Sequence, residues 1–407
     1  MKPHILFVDT GKEWGGGTNS LLLLVTGLKA RGYRVAAAFF HDYAGQGQSV
    51  GETFRQAGID FHLLPVIRLK WHKVLRELLR ALLFFNRRWR EALLARLDHT
   101  LRAGPAARQL ADLARECNVD LLYGNNQPSS NQEVLLAGRR TGLPVILHVR
   151  KTTRLQAMER DIANTHAARI ICVSESVRRH YLAERLNAER CLVVPNGIDP
   201  AACRMLDRAA ARTRLALPDE SFVVGTICSL LPLKCVDQLL HAFARMEVGA
   251  GGTPRCVVIG DGLERERLEA LSRTLGIADR CLFAGFRKDA AALLQAFDVF
   301  ALPSRQEGMP RSILEAMLAA RPTLAADVAG CRDLVRHGET GFLYPHGDVG
   351  ALAERLRQFA ADQALRQRLG ETARAIVLAE YSLAAHVDRV AAVIDEVLGQ
   401  TTLAASP

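Results

Sequence analysis

Two α/β domains, each built on a doubly wound parallel sheet, are what this sequence predicts, on three observations. Short β-branched runs alternate with helical stretches along nearly the whole chain. The alternation breaks at Pro195-Asn196-Gly197-Ile198-Asp199-Pro200, a concentration of turn residues that marks a domain end. A length of 407 residues exceeds what one ordinary core accommodates. The expected layout is 1–200 as a first domain, 201–380 as a second, and 381–407 as a helix and tail packing back towards the first. Clefts where such domains meet are the usual small-molecule sites.

Composition narrows the classes. Apolar residues make up 49% and charged residues 24%, the balance of a globular protein. The apolar run after His4 is too short for a signal-peptide core and no run of 18 apolar residues occurs, so a cytoplasmic protein is expected. Nine scattered cysteines show no Cys-x-x-Cys pair and read as reduced core residues, without a zinc site.

The net charge of +10 calls for an acidic partner. Residues 68–108 hold eleven Lys or Arg against Glu77, Glu91 and Asp98, so +8 of that +10 lies there. Trp71, Val74, Leu75, Leu78, Leu79, Leu82, Phe85 and Trp89 recur at three- and four-residue steps in the same segment. A basic amphipathic helix of this kind suits an anionic membrane surface, which places the protein at the inner membrane face rather than on nucleic acid. The alternative is a helix packed on its own domain with a solvated basic face.

Taken in order, the candidate strands of the first half are Ile5–Val8, Val35–Phe40, Phe61–Leu64, Leu121–Tyr123, Val145–His148, Ile170–Val173 and Leu192–Val194. Ligands of doubly wound sheets sit beyond the carboxyl ends of the strands, so the following loops carry the candidates. After the first strand comes Gly11-Lys12-Glu13-Trp14-Gly15-Gly16-Gly17, then a helix expected over Ser20–Ala30. The glycine spacing is not the dinucleotide fingerprint, and the next strand ends in His41 rather than an acid, which argues against NAD. His148, followed by Arg150, Lys151 and Arg154, ends a strand where an imidazole can orient a sugar hydroxyl. Asn125 and Asn126 end another and offer amide groups to the same crevice.

The second half repeats the alternation with Phe222–Ile227, Cys256–Ile259, Leu282–Ala284, Val299–Leu302 and Thr323–Ala325. Lys234 follows the first of these and can neutralise a diphosphate as a point charge. The richest stretch runs from Leu302 to Met317: a strand, a polar loop and a helix start, with Glu307 and Glu315 eight positions apart. Free amides and the positive end of the helix dipole favour an anion above the loop, and carboxylates beside it suit hydroxyl groups. Phosphate flanked by hydroxyls describes a nucleotide sugar. Ser312-Ile313-Leu314-Glu315 also fits a capping box, and Arg311 with Glu315 an ordinary helix-surface pair.

Together these pieces resemble the retaining glycosyltransferases of family 4, the "glycosyl transferases group 1" type. The matching features are the Gly15–Gly17 loop, His148, Ser174-Glu175-Ser176, Pro195-Asn196-Gly197-Ile198-Asp199, Lys234, Gly260-Asp261-Gly262, the Glu307…Glu315 pair and Gly341-Phe342-Leu343. The resemblance implies the GT-B fold, two facing Rossmann-like domains with a cleft between them. It implies that Glu307 holds the donor sugar's hydroxyls and Glu315 the ribose hydroxyls. Backbone amides around Gly308, Met309 and Ser312, Ile313 and Leu314 would receive the diphosphate, Lys234 its growing charge, and His148 the transferred sugar. Gly16 and Gly17 would let the first domain close over the phosphates. The chain departs from the family at Ser229, where an arginine beside the diphosphate is usual, and at Cys235, usually glycine. Asp333 stands for the usual Glu after a late glycine turn, and Thr18-Asn19 replace a frequent acid.

The implied reaction moves a sugar from a nucleoside diphosphate to a hydroxyl of a lipid-linked or glycan acceptor, with retention, in cell-surface polysaccharide, lipopolysaccharide or glycolipid assembly. No Asp-x-Asp occurs, so no divalent metal or other cofactor is expected. Glycoside hydrolysis needs carboxylates flanking the scissile bond, and these two share one loop. The alternative from another class is a non-catalytic nucleotide-sugar-binding or membrane-surface protein of the same fold, with Ser229 in its favour.

Overall fold

The computed structural model describes residues 2–11, 15–45, 48–66, 70–246 and 252–404. The chain forms two compact units, Met1–Pro195 with His386–Pro407 and Asn196–Ala385.

Among the described residues, the main sheet of the first unit has seven strands: β1 (His4–Asp9), β2 (Arg34–Phe39), β3 (Asp60–Leu63), β4 (Leu121–Asn125), β5 (Val145–Val149), β6 (Arg169–Cys172) and β7 (Cys191–Val193). All are parallel, in the order β3-β2-β1-β4-β5-β6-β7. β1, β4 and β5 are buried at every position. That explains their near-continuous apolar runs, since helices cover both faces of such a sheet. The order reverses between β1 and β4, so the loops after these two strands part and leave a crevice at their carboxyl ends. A separate antiparallel ribbon pairs Ala44–Gly45 with Gln48–Ser49.

The second unit holds β8 (Val223–Ile227), β9 (Arg255–Ile259), β10 (Cys281–Gly285), β11 (Val299–Leu302), β12 (Thr323–Ala326) and β13 (Gly341–Tyr344). They are parallel in the order β10-β9-β8-β11-β12-β13, with the reversal between β8 and β11. The core beneath is apolar, from Val224, Leu239, Leu240 and Phe243 to Leu324, Leu352 and Phe359. The apolar pattern does not predict β13. It is four residues long and opens on Gly341, where an added Cβ would lie 2.0 Å from the Thr323 carbonyl oxygen. Only glycine allows that approach.

Residues 68–108 differ from the single amphipathic helix expected. Arg68 and Leu69 lie outside the described residues; beyond them come two helices, Lys70–Leu82 and Arg87–Asp98, then a π-helical turn over His99–Ala103. The break has a local cause: the Asn86 amide donates to the Leu83 carbonyl, and its side chain caps the next helix by accepting from the Trp89 amide at 3.2 Å. An Arg76–Asp98 ion pair ties the two helices together. Among the described residues, no helix is long and apolar enough to cross a membrane.

The helix Leu383–Ala404 packs from His386 onward in the first unit. Val387 leaves no room for a Cβ at Gly27, and Tyr33 donates to Asp395 at 2.7 Å. Arg169 pairs with Glu396 at 2.5 Å.

Candidate functional site

In the second unit the polar groups collect at the carboxyl ends of β8 and β11, where the sheet reverses. After β8 the chain turns through Pro232–Lys234, with the Lys234 amide donating to Leu231 O. After β11 it runs through an extended loop whose Arg305 amide donates to the Leu233 carbonyl at 2.8 Å, binding the two loops together. This brings Lys234 Nζ within 2.5 Å of Glu307 Oε1, with both side chains largely buried. Burial alone would lower the Lys234 pKa, but the Glu307 carboxylate outweighs it and the net shift is upward. Lys234 is therefore a fixed cation.

The helix Arg311–Leu318 starts two residues before the capping-box reading requires, with Pro310 rather than Ser312 as its N-cap. Glu315 Oε1 accepts from Arg311 Nε at 3.1 Å, so the helix-surface pair is present and the capping box is not. Burial raises the Glu315 pKa and Arg311 opposes the shift. Ser312 lies in the first turn, where leading amides lack intrahelical acceptors; the Ile313 amide already donates to Pro310 O at 3.1 Å. Ile313 and Leu314 are buried, and Gly308 is held against Gly330, where an added Cβ would lie 2.4 Å from the Gly308 oxygen. Met309 is buried, and its Sδ accepts from the Asn196 amide at 3.1 Å. Among the described residues, Ser304 Oγ and Arg311 Nη1 are buried there without a partner. Orphaned donors beside a fixed ammonium await something with many acceptors.

Ser229 is exposed in the loop after β8. Its neighbours are pinned: the Cys228 amide donates to Ile259 O, and the Leu230 amide to Asp261 O. Gly260 makes this possible with a φ of 140°, since a Cβ there would overlap the Cys228 oxygen. Cys235, in place of the family's glycine, adopts φ 49° and ψ 38°, the left-handed region.

In the first unit a second constellation occupies the corresponding edge. Asp9, the last residue of β1, accepts from the Gly11 amide at 2.7 Å, Asn125 Nδ2 at 2.6 Å and Asn126 Nδ2 at 2.9 Å. Asn125 Oδ1 in turn accepts from Arg150 Nε at 2.6 Å. Burial raises the Asp9 pKa against the pull of these donors. His148 is fully buried, with Nδ1 at 2.7 Å from the Tyr123 hydroxyl. Burial raises the pKa of that phenol, and among the described residues His148 Nε2 is buried without a partner. Burial first, then Arg150 and His386, hold the His148 pKa well below the usual value. The His386 ring lies 5.8 Å away, and its Nδ1 donates to the Pro195 carbonyl at 2.6 Å.

Gly16 and Gly17 do not lie in a loop. They form the first turn of the helix Gly16–Ala30, whose N-cap is Gly15, so the helix begins four residues before the expected start. A Cβ at Gly16 would meet nothing within 4 Å, and one at Gly17 would touch Arg150 Cδ at 3.6 Å. Lys12, Glu13 and Trp14 of this stretch lie outside the described residues. Among the described residues, no three His, Cys, Asp or Glu side chains are grouped to hold a metal ion.

Sequence reasoning missed Asp9, Tyr123, His386 and Gly330. A lone acid closing the first apolar run was a signal for Asp9. Nothing local announces His386, 238 positions after the histidine it approaches.

Comparison with known proteins agrees along both units. The family model described as glycosyl transferases group 1 matches residues 207–376, and that described as a glycosyl transferase 4-like domain matches 15–197. The chain belongs to the group 1 glycosyltransferases of the family 4 type. A D-inositol 3-phosphate glycosyltransferase of Streptomyces avermitilis is 32% identical over 275 residues, which cover 64% of this chain and 57% of the relative. The lipopolysaccharide core biosynthesis glycosyltransferase LpsE of Rhizobium meliloti is 31% identical over 180 residues, covering 44% of this chain and 52% of that one. The match thus spans little more than half the length of these relatives. Among solved structures, Anabaena HepE in complex with UDP-glucose has a TM-score of 0.79 at 22% identity, covering 97% of this chain and 100% of that chain. This family 4-type chain therefore shares the GT-B fold of its structural neighbours.

Proposed function

We propose that this protein is a retaining glycosyltransferase that moves a hexose from a nucleoside diphosphate to an acceptor hydroxyl in glycan assembly. The observation that carries the reading is the Lys234–Glu307 pair at the reversal point of the second sheet, beside a helix start with orphaned donors. Donor diphosphate takes over the Lys234 ammonium and the first-turn amides, and Glu307, released from the lysine, accepts hydrogen bonds from sugar hydroxyls. Glu315, steadied by Arg311, accepts from the ribose hydroxyls. As the glycosidic bond to phosphate breaks, negative charge grows on the leaving group, where preorganised donors contribute most of the rate. Arg311 Nη1 is suited to supply the guanidinium that Ser229 cannot. His148 presents its Nε2 to a hydroxyl of the transferred sugar.

The cations are protein groups, so transfer survives EDTA. The acceptor is a lipid-linked glycan or glycolipid, consistent with the basic and apolar hairpin over 70–98 resting on an anionic membrane at the inner face. Thermal unfolding with a panel of nucleotide sugars identifies the donor, since a ligand that binds only the folded state raises the midpoint. NMR of the product reads the anomeric configuration. An inverted product, or no protection by any nucleoside diphosphate sugar, overturns the reading.

A further inference from the structure

The hairpin and the cleft at its base share one chemistry. Trp71, Val74, Leu78 and Leu82 form a single stripe on the first hairpin helix and are 52–67% exposed, and Phe84 and Phe85 at the turn are 73–75% exposed. Trp89 on the second helix is 63% exposed. Side chains of this size left in water need a cover. A second copy of this chain would set one strongly basic surface against another. A bilayer interface carrying negative charge accepts both the aromatic rings and the basic flanks.

Where the second helix runs on into the π-helical turn, a cleft of about 600 Å³ opens against the helices Gly104–Glu116 and Gln132–Thr141. Its polar lining is His99, Thr100, Arg108, Arg139 and Arg140, with no carboxylate. The three arginines are exposed and, among the described residues, none pairs with an acid. Among the described residues, His99 Nδ1 is buried without a partner. Uncompensated guanidinium groups with a hydroxyl and an imidazole between them form a receptor for a compact, multiply charged oxyanion.

We propose that this cleft binds the phosphate headgroup of an anionic membrane lipid while the exposed hairpin residues enter the bilayer interface. The proposal rests on the membrane reading of the hairpin given above and adds a headgroup-selective site to it. The cleft shares no residue with either polar constellation at the sheet edges, so it acts as an anchor and not in the transfer step.

The test is vesicle co-sedimentation of the full chain with phosphatidylcholine alone, with added phosphatidic acid, and with a carboxylate-headed lipid at equal surface charge. The wild type is expected to prefer phosphatidic acid over the carboxylate lipid. The Arg108→Gln/Arg139→Gln/Arg140→Gln variant should lose that preference and bind on the order of a hundredfold more weakly, at ~1 kcal/mol per arginine near the surface. Removing three exposed arginines elsewhere in the same unit (Arg34→Gln/Arg179→Gln/Arg185→Gln) should cost far less. The Arg→Lys triple variant, which keeps charge but not the planar fork, should retain binding and lose the preference. A Phe84→Ser/Phe85→Ser/Trp89→Ser variant separates the two claims, since it should weaken binding to every anionic vesicle alike.

If the wild type binds anionic vesicles and the Arg→Gln triple variant behaves like the surface control, the cleft is not a headgroup site and the hairpin reading stands. If no vesicle is bound but inorganic phosphate protects the wild type against unfolding and not the triple variant, the cleft takes a soluble phosphate and the lipid assignment is overturned. If neither vesicles nor phosphate bind, both readings fall.

Discussion

The carboxyl edges of the two sheets solve the same topological problem with opposite electrostatics. In the second unit, after β8 and β11, full charges meet in exchangeable pairs: Lys234 with Glu307, Arg311 with Glu315. In the first unit, after β1, β4 and β5, one buried carboxylate is satisfied by amides, and the histidine beside it is held neutral. The difference is one of replaceable partners. A charged pair in a half-dry crevice can trade its internal partner for a ligand's phosphate or hydroxyl at little net cost, because each group stays compensated. A buried amide–carboxylate network cannot be traded, and what it contributes is a fixed orientation for the groups it supports.

The largest effect that can break this contrast is on transfer. Glu307→Gln and Lys234→Ala should each lower kcat by ~10²–10³ once a donor is known, the range for loss of one preorganised group in a polar site. The double variant should lose much less than the product of the two, because the groups act as a unit. Multiplicative losses, measured as kcat and KM separately, would show that the two residues serve independent steps. The pair would then be an accident of the unliganded state.

How much of this was legible beforehand follows from the same contrast. The second-unit site lies in two short stretches, each directly after a strand that its apolar run announces, so Lys234, Glu307 and Glu315 could be named from sequence. The first-unit network is assembled from β1, β4, β5 and the C-terminal helix, and its decisive contacts join residues over a hundred positions apart. Local pattern carries no trace of such pairings. His148 could be placed at a strand end, but its neutrality depends on burial and on Arg150 and His386. Gly16 and Gly17 were misplaced because three glycines read as loop, whereas leading helix positions tolerate them when no other residue is needed there. β13 was lost for a related reason: a glycine required by a neighbouring carbonyl looks like a break.

The next effect is on stability and tests the neutral-histidine side. Unfolded imidazoles take a proton near pH 6.5, whereas burial and Arg150 push His386 down to about 4. Between those values the unfolded chain binds more protons than the folded one, so stability is intact above pH 6.5 and falls as the pH drops through the window. For His386 the loss is about 3 kcal/mol across it, and His148, shifted in the same direction, adds to the slope. Urea unfolding at pH 7 and pH 4.5 measures this, and His386→Asn should flatten the difference. An unchanged slope would mean that the imidazoles are solvated in the working protein.

A smaller effect returns to the charged side. Gly330→Ala forces a methyl against the Gly308 carbonyl, which is backbone and can move only with the loop that carries Glu307. Overpacking of this sort costs about 1–3 kcal/mol, and kcat should fall with it, because Glu307 shifts relative to Lys234. Retained activity at reduced stability would place the strain elsewhere in the loop.

The smallest effect has the opposite sign. Cys235, directly after Lys234, is held in the left-handed region, which costs a residue with a Cβ roughly 1–2 kcal/mol. Its thiol recovers little, reaching the Pro232 and Leu233 carbonyls at 3.4 and 3.7 Å. Cys235→Gly removes the steric term, and the extra freedom of an unfolded glycine takes back ~0.5–1 kcal/mol. The net gain is then roughly 0.5–1 kcal/mol, read as a small rise in the urea midpoint at unchanged slope. Cys235→Ala separates conformation from chemistry: it keeps the Cβ and drops the sulfur, so it should gain nothing. If alanine stabilises as much as glycine, the thiol was the burden, and the loop presents Lys234 without strain.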